Sequence, residues 1–131
     1  MRSRRIGLVI FLSTIMPVCV AAEAGRNIPR EFHGIWGSTA TQCSVKDWRN
    51  LDTLHRISSN KVEWWEAACE VTQAVSRKEE KNTVEVQLAC SGEGEEWTSG
   101  ELWKLIEIER SKYLVTAIPG RGRIQIYRLC R

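Results

Sequence analysis

The sequence predicts an all-β domain, a small antiparallel barrel or sandwich held by two disulfides. Long helical periodicity is scarce in the chain, whereas short runs in which apolar and polar residues alternate are frequent. Turn signals separate these runs at roughly ten-residue spacing, which is typical of small antiparallel β folds. Beyond the N-terminal segment four cysteines remain, an even number that indicates a disulfide framework in an oxidising compartment.

The first segment, residues 1–22, is predicted to be a secretory signal peptide. It has three arginines among its first five residues, then an apolar run over residues 6–20, then small residues. The run is too short for a transmembrane helix, and its flanks are those of a signal peptide. Cleavage after Ala22 or after Ala24 fits the pattern. Residues 23–131 then form a single domain, periplasmic or secreted, with no further segment apolar enough to span a membrane.

The apparent basicity of the chain belongs to the signal peptide. The whole chain has 19 basic and 16 acidic residues, and residues 1–22 hold three of the basic ones and no acid. The mature chain therefore has 16 of each and a net charge near zero. A general nucleic-acid binder needs a basic footprint, so we do not expect nucleic acid as a partner.

Several strands can be placed in order along the chain. Residues 61–68 fit either a helix, which would place Glu63 and Glu66 on one face with Glu70, or a strand. We favour a strand because a better-specified hairpin follows. The later runs alternate or are rich in β-forming residues. The further strands are predicted at residues 83–88, 102–109, 112–118 and 124–127, and turns at residues 58–60, 91–92, 98–100 and 119–122.

One hairpin can be placed in register. With its turn at Glu79-Glu80, one face becomes almost wholly apolar and the other mostly polar, and a slip of one residue would mix the two. Lys-Glu-Glu-Lys lacks the Gly or Asn that a tight turn prefers, so a looser loop is the alternative. The pairs on the apolar face are Cys69 with Cys90, Val71 with Leu88, Gln73 with Val86, and Val75 with Val84.

The opposed cysteines predict the disulfide Cys69–Cys90, which leaves Cys43–Cys130 as the second bridge. The second bridge would join the start of the domain to its last strand, and in the chain-entropy model it contributes roughly 4 kcal/mol. A zinc site needs close ligand pairs such as C-x-x-C, and the sequence has none. We therefore expect no metal and no cofactor.

The sequence offers no recognisable catalytic group. His33 and His55 are isolated and lack a nucleophile motif, so we interpret them as structural or surface residues. Glu93 with Glu95 or Glu96 has the residue types of a glycosidase pair, but adjacent acids on one loop do not establish the separation that such a pair needs. We therefore expect a domain without enzymatic activity.

The stretch ACSGEGEEW, residues 89–97, is the main candidate for a binding site. Three glutamates lie behind a cysteine and beside glycines, and Glu101 follows close by in sequence. One interpretation is a solvated turn. The other is a loop that steers a basic partner by complementary charge, with its flexibility already reduced by the adjacent disulfide.

Six tryptophans are many for this length. We assign Trp36 and Trp103 to the core, since aromatic rings bury much area. Neighbouring strand residues point to opposite faces, so one ring of Trp64 and Trp65 is expected outside the barrel. Trp97, beside the acidic loop, is expected to be exposed.

Short motifs across residues 32–131 resemble those of small exported, disulfide-bonded bacterial proteins: Gly34-Ile35-Trp36, Cys43, Glu66-x-x-Cys69, Cys90-Ser91-Gly92-Glu93-Gly94 and Tyr127-x-x-Cys130. More distantly the chain is similar to the periplasmic inhibitors of lysozyme and other peptidoglycan hydrolases. These inhibitors are small β-barrels that insert a Ser-Gly-containing loop into the hydrolase cleft, and Ser91-Gly92 corresponds to that loop. Glu95 stands where the c-type lysozyme inhibitors have a tyrosine, and Tyr127-x-x-Cys130 is one residue longer than their Tyr-x-Cys motif. Exported bacterial protease inhibitors of β-barrel type also begin near a Gly-x-Trp element.

This resemblance implies a non-catalytic binding module that inhibits or regulates a peptidoglycan-cleaving glycosidase of the lysozyme type. The partner would be a protein, a basic cell-wall hydrolase. The expected contacts are Ser91, Glu93, Glu95 and Glu96, with Trp97 as a neighbouring anchor. The alternatives are a periplasmic protease inhibitor and a structural or assembly protein of the envelope without inhibitory activity.

Overall fold

Eight antiparallel strands close into a barrel in the computed structural model, which describes residues 25–38, residue 43 and residues 54–130. Each strand pairs with the next along the chain, and β1 pairs with β8. The all-β prediction is confirmed, as a closed barrel rather than a sandwich. The strands are β1 Gly34–Gly37, β2 Leu54–Ile57, β3 Lys61–Trp64, β4 Ala67–Ser76, β5 Thr83–Gly92, β6 Glu95–Ile108, β7 Ser111–Ala117 and β8 Ile124–Leu129.

The connections between strands fall into two sets, because successive antiparallel strands reverse direction. At one end, which we call the upper end, β3 joins β4 through Trp65-Glu66, β5 joins β6 through Glu93-Gly94, and β7 joins β8 through residues 118–123. Residues 58–60, residues 77–82 and Glu109-Arg110 connect strands at the opposite, lower end.

The lower end is closed by the segment before β1. A 3₁₀ turn, Arg30–Phe32, buries Phe32 against Trp103, with the ring centroids 6.4 Å apart. The Trp36 indole Nε1 donates a hydrogen bond of 2.9 Å to the Phe32 carbonyl, and the Ile28 amide donates one of 2.6 Å to the Ser59 carbonyl. Trp36 and Trp103 are 0% and 2% exposed, which confirms both as core residues.

The register of the β4–β5 hairpin is confirmed in its upper part, where Cys69 faces Cys90 and Val71 faces Leu88. Beyond Val71 the prediction is wrong, because Thr72 forms a β-bulge and shifts the register by one. The shift places Ala74, 6% exposed, in the core and leaves Gln73 outside. The pairs below the bulge are Gln73 with Gln87, Ala74 with Val86, Val75 with Glu85, and Ser76 with Val84.

The turn of this hairpin is the looser of the two predicted forms. The strands end at Ser76 and resume at Thr83, so the connection is longer than the tight turn centred on Glu79-Glu80. Arg77 pairs across it with Glu80 and Glu85, at 3.2 and 2.5 Å. These side chains are exposed, so the pairs contribute little to stability.

Both predicted disulfides are present. Cys69–Cys90 links β4 to β5 on the interior face, and Cys43–Cys130 joins chain positions separated by 87 residues. The second bridge passes close to β1, since a Cβ atom at Gly37 would lie 3.5 Å from both of its sulfurs. A Cβ atom at this position would also lie 2.8 Å from Leu54 Cδ2, so a larger residue would force the Leu54 side chain to shift.

The remaining element predictions are confirmed, apart from two turns and the interruption of one strand. The strand predicted over residues 61–68 is interrupted by a turn: β3 ends at Trp64, Trp65-Glu66 form the turn, and β4 begins at Ala67. The turn predicted at residues 98–100 is wrong, because these residues continue β6 and pair with β5. The turn predicted at residues 91–92 lies instead at Glu93-Gly94, directly after β5 ends.

The predicted signal peptide and Trp48 lie outside the described residues. Among the residues that are described, no helix is long and apolar enough to cross a membrane.

Candidate functional site

The acidic loop predicted from the sequence is a two-residue hairpin turn. Glu93 has φ 49° and Gly94 has φ 79°, and a type I′ turn has positive φ at both of its central residues. Gly92 and Glu95 form the last pair of the β5–β6 ladder on either side of the turn. Strand pairing therefore fixes the tip of the hairpin, which is a two-residue turn and not a longer loop.

The tip packs against the neighbouring β3–β4 turn. A Cβ atom at Gly92 would lie 2.6 Å from Ala67 Cβ and 2.8 Å from the Glu66 carbonyl oxygen. The two turns thus stand side by side at the upper end, with Trp65 41% exposed on the outside. We call the exposed carboxylates of this region the acidic rim, formed by Glu66, Glu93, Glu95 and Glu96.

The predicted contact residues are divided between this rim and the barrel interior. Ser91 pairs with Glu96 and is exposed. Trp97, by contrast, lies opposite the buried Cys90, so its ring is directed to the inside. It is 40% exposed, and its ring centroid lies 6.4 Å from that of Trp64. Trp97 is exposed as predicted, at the mouth of a cavity.

This cavity, of about 810 Å³, occupies the upper half of the barrel. A chain of ring contacts follows its wall across four strands: the Trp97–Trp64 contact, then Trp64–His55 at 5.5 Å, then His55–Tyr127 at 4.8 Å. Apolar side chains of the core, among them Leu88 and Leu114, form the floor. This aromatic wall could not be predicted from the sequence, since its members come from distant parts of the chain.

A carboxylate completes the wall. Glu101 Oε1 accepts a hydrogen bond of 3.0 Å from the Ser99 hydroxyl, and Oε2 accepts one of 2.6 Å from the Trp103 indole. Both donors are neutral, and no Lys, Arg or His within the described parts of the chain forms an ion pair with Glu101. Glu101 therefore stands apart from the acidic rim with which its sequence position grouped it.

Two aromatic groups of the cavity are held neutral at pH 7. Burial lowers the pKa of His55 to about 4. Burial, and to a smaller degree the nearby Glu101 charge, raises the pKa of Tyr127 to about 12. The lining side chains that carry a formal charge are Glu101 and Arg121, and Arg121 belongs to the exposed β7–β8 turn.

The orientation of Ser99 and Glu101 follows from the β5–β6 ladder. Ser99 faces Leu88 and Glu101 faces Val86, and both β5 partners point to the interior. A tight turn predicted at Glu93-Gly94 would have given this register, because in a hairpin with a fixed turn the residue numbers of every directly opposed pair add up to the same value. The turn predicted at residues 98–100 would instead interrupt β6, so the pairing of Ser99 and Glu101 with β5 could not be predicted.

Apolar side chains are exposed on the outer wall of the barrel. Ile124 and Ile126 of β8 point to solvent beside the cavity, at 66% and 59% exposed, and Ile106 and Ile108 do so near the lower end of β6, at 39% and 56%. The alternate residues of β8, Gln125 and Tyr127, line the cavity. This is the reverse of the usual pattern, in which the apolar face is the one that is buried.

The two histidines lie in separate parts of the fold. His33 Nε2 lies 2.8 Å from the Ile28 carbonyl oxygen and holds the segment that closes the lower end. His55 contacts two aromatic rings. Over the described ranges no three His, Cys, Asp or Glu side chains are grouped so that they could hold a metal ion.

Comparison with known proteins gives no match to a family model, a curated protein or a solved structure.

Proposed function

We propose that this chain is an exported, non-catalytic binding protein that inhibits or regulates a peptidoglycan-cleaving glycosidase of the lysozyme type. The observation that carries the proposal is the acidic rim. It presents Glu93, Glu95 and Glu96 in exposed positions on a tight turn at one end of a closed barrel.

The rim is organised before any partner arrives. The Cys69–Cys90 bridge lies next to the pairs that lead to the tip, Ala68 with Ser91 and Ala67 with Gly92. Strand pairing on both sides of β5 and the packing of Gly92 against β4 leave the tip little conformational freedom to lose on binding. Association then costs less entropy than it would for a flexible loop.

Electrostatic complementarity supports a basic partner. An enzyme that works on the anionic cell wall is attracted to it by a basic surface, and the same surface attracts the carboxylates of the rim. In this mechanism the carboxylates pair with the basic surface of the hydrolase while the hairpin tip blocks its cleft.

The test is a titration of the oxidised mature protein into peptidoglycan lysis by a panel of muramidases. We expect stoichiometric, saturable inhibition by the wild type, and a loss of roughly tenfold or more in affinity for Glu93→Gln/Glu95→Gln/Glu96→Gln. The matched control neutralises three exposed glutamates that lie away from the rim, as Glu79→Gln/Glu107→Gln/Glu109→Gln, and should inhibit like the wild type.

The other outcomes assign the alternatives. Inhibition of exported proteases without inhibition of muramidases would replace the proposal with a periplasmic protease inhibitor. Equal loss in the rim variant and the control would attribute the effect to net charge. The absence of inhibition from every sample would favour a structural or assembly protein of the envelope.

A further inference from the structure

One strand of the upper wall, β8, has its polarity reversed, and a second, β6, directs polar side chains inward. On β8, Ile124 and Ile126 are more than half exposed while Gln125 and Tyr127 face the interior. On the upper part of β6, two polar side chains, Ser99 and Glu101, also face the interior. A barrel that only fills itself gains stability from the opposite arrangement, because burying apolar area is what stabilises it.

The space enclosed by this wall has the size of a ligand site. Eight-stranded barrels have an interior that side chains can just fill or that can hold one small ligand. Here Phe32, Trp36 and Trp103 fill the lower half. The upper half keeps a cavity of about 810 Å³, which lies within the range of roughly 300–1,000 Å³ typical of small-molecule sites.

The residues that line the cavity favour a positively charged ligand. Aromatic rings present a negative face, and an alkylated ammonium group is attracted to several such faces at once. The Glu101 carboxylate already accepts hydrogen bonds from Ser99 and Trp103 but has no cation beside it among the described residues. Both donors are neutral, so the negative charge of the carboxylate is available to attract a bound cation.

Arg121, the positively charged residue of the cavity lining, does not form an ion pair with Glu101. Arg121 lies in the exposed β7–β8 turn, at the mouth, where solvent screens its charge. His55, whose pKa is lowered by burial, is neutral at pH 7 and so does not repel a cation.

We propose that the upper half of the barrel binds a small organic ammonium compound. The alkylated ammonium group lies among the rings of Trp64, Trp97 and Tyr127, and the Glu101 carboxylate balances its charge. An alkylated ammonium fits better than a primary one, because rings accept its charge without needing N–H donors. This site is separate from the acidic rim and does not depend on the proposed inhibition.

The test is calorimetric titration of the oxidised mature protein with choline as the probe. We expect saturable binding of one choline per protein. The neutral isostere 3,3-dimethyl-1-butanol, which has the same shape without the charge, should bind roughly tenfold more weakly or worse, and ethanolamine more weakly than choline.

Two variants locate the site. Glu101→Gln removes the charge and should weaken choline binding by roughly tenfold, with less effect on the isostere. Trp97→Leu should weaken it several-fold, and because Trp97 is 40% exposed this variant is expected to fold even if Glu101→Gln does not. Glu79→Gln, on the exposed lower turn, is the matched control and should bind choline like the wild type.

Three results would overturn the proposal. Equal affinity for choline and its neutral isostere would show a merely apolar cavity. Choline binding that survives Trp97→Leu unchanged would place the cation elsewhere. Absence of saturable binding of choline and of tetramethylammonium at millimolar concentrations would exclude the ammonium group as the ligand.

Discussion

At the scale of single residues, folding changes the acid–base chemistry of His55. It lies on β2 between the rings of Trp64 and Tyr127, and burial lowers its pKa from 6.5 to about 4. The folded protein therefore resists protonation of this imidazole, whereas the unfolded chain accepts a proton near pH 6.5.

The consequence is a loss of stability in mild acid. As the pH falls from 6.5 towards 4, the unfolded state binds more protons than the folded state, so the free energy of unfolding decreases. Between about pH 7.5 and about pH 4.5, His55 alone should remove up to about 2.5 kcal/mol. Urea denaturation at the two pH values measures this change.

The variant His55→Gln cannot titrate, so its stability should fall less over the same interval. If wild type and variant lose the same free energy of unfolding, the acid sensitivity comes from other groups. A titration of the imidazole by NMR provides an independent check, since the His55 signal should move near pH 4.

The candidate residues also show what a sequence reveals at this scale. The exposed positions of Glu93, Glu95 and Glu96 could be predicted, because glycines beside charged residues indicate a solvated turn. The inward position of Glu101 could not, because it depends on an unbroken ladder between β5 and β6. A carboxylate directed into a barrel contradicts the general tendency of charged residues to lie at the surface.

At the scale of elements, the bulge in β4 is one point at which the predicted and the observed pairing differ. Alternation alone favours a straight ladder, in which Gln73 would occupy the apolar face. The bulge at Thr72 instead exposes Gln73 and buries Ala74. A bulge has no reliable signature in one strand, since its benefit arises from the bend that helps a sheet to close.

Matched substitutions distinguish the two registers. Ala74→Glu should destabilise the protein by about 3 kcal/mol or more, because it buries an unpaired charge. Gln73→Glu should remain within about 0.5 kcal/mol of the wild type, as is usual for exposed positions. Chemical denaturation of the two variants decides between the registers, and the reverse order of stabilities would restore the straight ladder.

At the scale of the whole molecule, the two disulfides link strands and segments that are distant in sequence but adjacent in the barrel. Cys43–Cys130 joins positions 87 residues apart, and Cys69–Cys90 joins positions 21 apart. Both pairings followed from sequence, because a register that sorted apolar from polar residues also opposed Cys69 and Cys90. The closed end and the open cavity did not follow, since both depend on residues brought together from distant strands.

Removing the longer bridge should weaken the entire fold. In the chain-entropy model, Cys43→Ala/Cys130→Ala loses about 4.5 kcal/mol, a large part of the roughly 5–15 kcal/mol that stabilises a typical domain. Urea denaturation of the oxidised variant measures the loss. The reduced wild type, which lacks both bridges, should be at least as destabilised. A loss below about 1 kcal/mol would show that the unfolded chain is restrained in some other way.

The placement of the bridges also governs what happens when the backbone is cut. The β2–β3, β3–β4, β4–β5, β5–β6, β6–β7 and β7–β8 connections all lie between Cys43 and Cys130. A protease that hydrolyses one peptide bond in any of these turns leaves two fragments still joined covalently. At the β4–β5 turn, with its exposed Lys78 and Lys81, the second bridge spans the cut as well. A nicked molecule therefore gains only the mass of one water and remains a single covalent molecule, and reduction of the disulfides is needed to release the fragments.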